Sequence, residues 1–212
     1  MITISAFEWV PDFARGQVRD LRPRWALEEA GLAYQTRLLA MGEQDKPEYR
    51  ALQPFGQVPI FEEDGFVLFE TGAIVLHIAE RSEALLPKEP QARARSTQWV
   101  IAALNSIEPF VLQVALIDLF YKDEEWAKLR RPGAVEFAQK RLKGLANALG
   151  DKAYLDGDSF TVGDLMMTTV LRILPDETAK HENLAAYVNR CTARPAFQRA
   201  LAAQLGDFKE AA

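Results

Sequence analysis

The sequence has little of what builds covalent or metal-held frameworks. Cys191 is its only cysteine, which excludes an intramolecular disulfide. His77 and His181 are its only histidines, and no Cys/His cluster offers the three or four close ligands that zinc needs. Positive charge is not in excess: 25 basic residues face 30 acidic ones, a net charge of −5, so no basic footprint points to nucleic acid. No apolar run approaches the ~20 residues of a membrane span. The opening MITISAFEW lacks the basic head and long apolar core of a secretory signal. Repeats of 20–50 residues and low-complexity tracts are also missing. The expectation is a protein of the reducing cytoplasm with no metal and with neither a membrane nor nucleic acid as partner.

What is present is an ordinary globular mixture, 49% hydrophobic and 26% charged over 212 residues, enough for one large or two small domains. One stretch, Gln53 to Arg81, organises the rest. It opens with Pro54-Phe55-Gly56 and Gln57-Val58-Pro59, runs into a short apolar strand at Pro59-Ile60-Phe61, and turns at Asp64-Gly65, a hairpin signal because both positions accept positive φ. A second strand covers Phe66 to Phe69. Glu70-Thr71-Gly72 then opens a helix with Ile74, Val75, Ile78 and Ala79 at helical spacing and Thr71 as its N-cap.

Proline at the head of a strand belongs at an edge or in a special turn. One such turn is a cis peptide, which would present the Val58 N–H and C=O to an extended peptide as a strand-like partner. At the helix start, first-turn N–H groups favour an anion and Glu70 can take a cation. Together Glu70 and Thr71 can hold an amino-acid zwitterion while Val58 pairs with backbone further along the same small peptide.

Upstream, Ile2 to Phe7 alternates as a first strand. A loop from Glu8 to Arg19 leads to a helix from Asp20 to Ala30, stopped by Gly31. Pro23 fits only in that helix's first turn. Ala33 to Leu39 reads as a second strand and Lys46 to Leu52 as a short helix begun by Pro47. The order strand, helix, strand, helix, hairpin, helix predicts an α/β thioredoxin-like domain (βαβαββα) over 1–81, its first two strands parallel. Residues 82–90 read as a linker. An all-α domain over 91–212 follows, with one long helix from Gln91 to Tyr121 broken by Pro109, a helix from Pro132 to Leu149, a capping box Thr161-Val162-Gly163-Asp164 heading a helix to Leu174, and helices over Asn183–Cys191 and Pro195–Leu205.

Gly56-Gln57-Val58-Pro59, then Glu70-Thr71 and a helix, resembles the glutathione site of the cytosolic, bacterial-type glutathione S-transferases. Ala26-Leu27-Glu28-Glu29-Ala30-Gly31, the Thr161–Asp164 capping box and Arg194-Pro195-Ala196-Phe197 extend the resemblance over nearly the whole chain. It implies that the Val58–Pro59 peptide is cis and pairs with the cysteinyl backbone, that Glu70 and Thr71 hold the γ-glutamyl end, and that Gln57 helps. Gln44, Lys46 and Arg50 are candidates for the glycyl carboxylate, Lys46 first. It also implies a homodimer, with Ile74–Ile78 and Trp99–Ala103 as interface candidates, and conjugation of the glutathione thiolate to a small apolar electrophile. Peroxide reduction is a further reaction of the family. Glutathione is then a co-substrate and no cofactor is expected.

The departure lies at the start of the first helix. A free thiol has a pKa of ~8.5 and must be activated there, yet Phe13 to Asp20 holds no Tyr, Ser or Cys, and Ser5 comes too early. The expected substitute is a backbone N–H near Gly16 and Gln17 with an arginine from Arg15, Arg19, Arg22 or Arg24, and Phe13 as a wall. Arg172, a basic residue in an apolar helix, is either part of this site or ion-paired with Asp176 or Glu177. The co-substrate pocket is expected between the domains, lined from Trp9, Phe13, Phe110, Val114, Ile117, Tyr121, Trp126 and Met167. A thioltransferase needs an active-site cysteine, and Cys191 lies in the wrong domain. The alternative is a catalytically inactive, transferase-like glutathione-binding or interaction protein.

Overall fold

A computed structural model describes residues 1–209. The chain forms two compact units, one of Met1–Leu86 with the chain from Ala193 onward, the other of Pro87–Thr192.

The first unit is built on a mixed four-stranded sheet of order β2-β1-β3-β4. β1 (Ile2–Phe7) pairs in parallel with β2 (Tyr34–Leu39) and antiparallel with β3 (Phe61–Glu63), which pairs antiparallel with β4 (Phe66–Leu68). Asp64 and Gly65 turn the hairpin at φ 50° and 85°. Among the unit's helices are α1 (Leu21–Ala30), α2 (Pro47–Arg50) and α3 (Thr71–Ala79). α1 stops at Gly31, whose φ of 67° a side chain would disfavour. Pro23 lies in its first turn, where its missing N–H costs nothing. This is the βαβαββα order of a thioredoxin-like domain.

The second unit is helical. α4 (Pro90–Ala102) passes through a π turn, Ala103–Ile107, into α5 (Glu108–Phe120). Pro109 is therefore absorbed by a widened turn ahead of it, which leaves one continuous rod. α6 (Glu125–Leu149), α7 (Val162–Leu171), α8 (Pro175–Ala179) and α9 (Glu182–Thr192) follow. At the head of α7, Asp164 Oδ2 accepts from Thr161 N–H at 2.9 Å and Oδ1 from Leu155 N–H at 2.9 Å, while Tyr187 Oη donates to Oδ1 at 2.9 Å. The capping box is thus also the buried joint between α7, α9 and the Tyr154–Gly157 turn.

Several expectations are corrected. The last helix, α10 (Pro195–Asp207), was expected in the helical domain of 91–212 but packs on α1 in the first unit. Trp25 is fully buried and meets Phe197 edge-on at 4.9 Å, and Arg24 Nη2 donates to Asp207 at 2.6 Å. Without α10, that apolar and charged face of α1 would lack its cover. The 82–90 linker is shorter, because Leu85 and Leu86 are buried with the first unit. α6 begins ahead of Pro132, since Glu125 to Arg131 are good helix formers and continue through it. β3 starts at Phe61, two residues after Pro59. The apolar-run expectation is also revised: the joined rod Pro90–Phe120 is long and apolar enough, by length and composition, to pass for a span, and 44% of that apolar window is buried in the protein.

Candidate glutathione site

The open end of the β3–β4 hairpin carries the residues singled out from the sequence. Phe61 pairs with Leu68 where the ladder ends, so Pro59 and Glu70 each lie two residues beyond that last pair, at the same end of the hairpin. The Val58–Pro59 peptide is cis. The Val58 side chain is buried with Leu39, Tyr49 and Ile60, while its N–H and C=O engage no other described residue. A peptide edge with one donor and one acceptor is therefore open.

After β4, Glu70 holds φ 70° and ψ 117°, a backbone that non-glycine residues rarely adopt. Its side chain is exposed and bonds to no described residue. Thr71 was expected as N-cap. It is instead the first helical residue, with Glu70 in the cap position and no side-chain cap bond. Thr71 Oγ1, buried, accepts from Arg22 Nη1 at 3.1 Å. An oxygen that accepts from a guanidinium keeps its own proton to donate, and that proton lies at a helix N-terminus, where an anion is favoured. Sequence reasoning gave Arg22 only a share in a diffuse positive field. Its specific job was hidden because the partner lies 49 residues away.

Two of the other arginines, Arg24 and Arg15, are committed elsewhere. Arg24 is 1% exposed and donates from Nε to Asp20 at 2.7 Å and from Nη2 to Asp207 at 2.6 Å. Burial lifts the Asp20 carboxyl to about 6, although Arg24 and Gln204 both pull it down. For Arg24 burial works downward, but Asp20 and Asp207 outweigh it and the guanidinium stays above its ordinary value. Arg15 pairs with Asp12 at 3.3 Å and lies over the Phe208 ring.

Near the start of α1, Phe13 is 51% exposed on a short turn, Asp12–Ala14. Gly16 is buried at φ 73°, and its N–H meets no other described residue. The Gln17 N–H is not available as expected, because it donates to Ala14 O at 2.9 Å. Ser5 is fully buried and bonds to Tyr49 Oη, which keeps it inside the sheet. Of the glycyl candidates, Gln44 bonds to Gly42 and Asp45, Arg50 to Asp45 and Pro54, and Lys46 Nζ to Glu43 at 3.0 Å. Lys46 and Glu43 border a cavity of about 250 Å³ with Arg37 and Tyr49. Gln57 is exposed, and its carbonyl accepts from Tyr49 Oη at 2.8 Å.

In the second unit, Arg172 follows the last residue of α7, and burial pulls its pKa down. The Glu177 carboxylate is taken by Lys180 at 2.7 Å and Gln139 at 2.6 Å. Among the co-substrate candidates, Val114, Ile117 and Met167 are core residues, whereas Tyr121 and Trp126 are half-exposed with ring centroids 5.1 Å apart. The interface candidates Ile74, Ile78 and Ala103 are buried inside their own units and are not free to meet a partner. No group of three or more metal-ligating side chains occurs among the described residues.

A thioredoxin-like unit with an open backbone edge at Val58, followed by a helical unit, defines the architecture. Residues 13–80 match the sequence model of the glutathione S-transferase N-terminal domain, and residues 116–195 that of the C-terminal domain. Glutathione S-transferase F11 of Arabidopsis thaliana is 32% identical over 174 residues, 74% of this chain and 79% of that protein. Glutathione S-transferase GstA of Escherichia coli O157:H7 is 31% identical over 166 residues, 74% and 78% of the two. The crystal structure of a theta class glutathione S-transferase from Xanthomonas axonopodis pv. citri with glutathione bound superposes with a TM-score of 0.80 at 29% identity, covering 94% of this chain and 96% of that one. The chain belongs to the glutathione S-transferase family, a family of transferase enzymes.

Proposed function

We propose that this chain binds glutathione along the Val58 edge and transfers its thiolate to a small apolar electrophile, as a detoxifying enzyme of the cytoplasm. The observation that carries the reading is the open end of the β3–β4 hairpin. The Val58 N–H and C=O there engage no other described residue, and Glu70 and Thr71 follow β4 at the same end of the hairpin. Val58 takes the cysteinyl backbone, flanked by Pro59. Glu70 takes the α-amino group, and Thr71 with the α3 N-terminus takes the α-carboxylate. Gln57 and Lys46 reach for the glycyl end, and Lys46 can exchange Glu43 for it because an exposed ion pair is weak. The Gly16 N–H and an arginine hold the sulfur as thiolate, Phe13 walls it, Gln17 contributes its side chain, and Arg172 is assigned to the electrophile end. Peroxide reduction is a second outlet for the same thiolate. The helix face of Pro90, Ala94, Gln98 and Ile101, beside a groove of about 760 Å³, is the surface assigned to homodimer contact.

The specific observation on the other side is that Phe13 to Asp20 holds no Tyr, Ser or Cys, which favours a glutathione-binding or interaction protein without turnover. Titration with glutathione to millimolar concentration, followed by conjugation and peroxidase assays, tests both. Turnover supports the transferase. Binding without turnover supports the inactive glutathione-binding alternative, and no binding removes the transferase and favours an interaction protein that keeps the fold.

A further inference from the structure

The Val58–Pro59 turn has no backbone hydrogen bonds of its own to fix its orientation, yet a buried relay holds both its flanks. Tyr49 Oη donates to Gln57 O at 2.8 Å. Ser5 Oγ lies 2.9 Å from the same phenol oxygen, and Ile60 N–H donates to Ser5 Oγ at 2.8 Å. The proton count is fixed. Tyrosine has one hydroxyl proton and spends it on Gln57, so Ser5 donates to Tyr49 and receives from Ile60. Each hydroxyl donates once and accepts once. The relay begins one residue before Val58 and ends one residue after Pro59.

We propose that Tyr49 and Ser5 are positioning residues that set the Val58 backbone for the cysteinyl unit of glutathione. The proposal rests on the functional reading above. Neither side chain touches the tripeptide. Ser5 is 0% and Tyr49 6% exposed, so water does not compete for these bonds. Burial also holds the phenol above its ordinary pKa, and it remains a donor at physiological pH. The two anchors differ in origin: Ser5 lies in β1, paired on both sides, and Tyr49 lies in α2. The turn is thereby hung between the sheet and α2. Arg50, the next residue of α2, adds a second grip by donating from Nη1 to Pro54 O at 3.1 Å.

The test uses the full chain with Tyr49→Phe and, as a second variant, Ser5→Ala. Glutathione affinity is read by calorimetry, and KM is read separately for glutathione and for chlorodinitrobenzene. Each variant breaks the shared Ser5–Tyr49 bond and one bond to a flank of the turn; losing the flank bond is expected to raise the glutathione Kd and KM about tenfold, with the KM for the electrophile unchanged. Ile60→Val is the control for packing: it removes a methylene beside the relay but keeps all three bonds, and it should lower Tm while leaving glutathione affinity alone. A folded Tyr49→Phe or Ser5→Ala protein with wild-type glutathione affinity would overturn the proposal and leave the functional reading intact. A wild-type chain that fails to bind glutathione would overturn the functional reading itself.

Discussion

Arg22 Nη1 donates to Thr71 Oγ1 at 3.1 Å, joining the first turn of α1 to the first residue of α3 inside the protein. The bond sets which way the Thr71 proton points. Thr71→Val, which keeps the branched shape without the hydroxyl, is expected to weaken glutathione binding about tenfold, and Thr71→Ser to stay within a few-fold of wild type. Calorimetric titration of the three proteins measures this. Equal affinities would remove the hydroxyl from the site.

Glu70 combines an exposed, unengaged carboxylate with φ 70°. Glycine carries no penalty there, so Glu70→Gly should be about 1 kcal/mol more stable by thermal unfolding, or at least no less stable. The same substitution should weaken glutathione binding by more than about tenfold, because the α-amino group loses its carboxylate. A gain of stability with loss of binding marks a residue kept for its ligand.

Asp20 gives a pH dependence with a definite sign. Its folded pKa is about 6 against an ordinary 3.8. Between those values the folded chain holds a proton that the unfolded chain has released. The stability from this group is thus present below the ordinary value and is lost as pH rises through about 6. Asp20→Asn removes the dependence. From pH 4 to pH 7 the wild type should lose about 2 kcal/mol relative to that variant, measured by urea unfolding along the pH series.

Gly163 follows Val162 in the first turn of α7, and a Cβ there would lie 2.6 Å from the Trp99 Cβ and 3.1 Å from Ser96 O. Neither neighbour is the end of a flexible chain. Gly163→Ala should destabilise the helical unit by about 1–3 kcal/mol, seen as a lower Tm. Glutathione affinity measured below that Tm should not change, since the residues assigned to the tripeptide's γ-glutamyl and cysteinyl parts all belong to the first unit.

How far the sequence could be read depended on whether a signal was local. The Asp64-Gly65 turn, the Thr161–Asp164 cap and the αL stop at Gly31 are each contained within a few residues, and each was legible. So were the cis Val58–Pro59 peptide and a helix start at Glu70-Thr71, because both sit at the ends of one hairpin. The Arg22–Thr71 bond and the Ser5–Tyr49 relay join residues more than 40 positions apart, and no periodicity encodes them. Gln17 was misjudged because a one-turn hydrogen bond to Ala14 depends on backbone angles that the residue types leave open. Asp20 and Arg24 stood at i,i+4 spacing, a visible pair. That they would be buried needed α10, whose helical pattern was clear but whose address was not.

That address governs the order in which the molecule can be finished. Met1–Leu86 emerge from the ribosome carrying Arg24 without Asp207, Asp20 without Gln204 and Trp25 without Phe197. The helical unit, whose residues run without interruption from Pro87 to Thr192, is complete before those partners are made. The first unit is therefore born first and closed last, and a nascent chain stalled before residue 195 would display an unsealed α1 to any chaperone within reach.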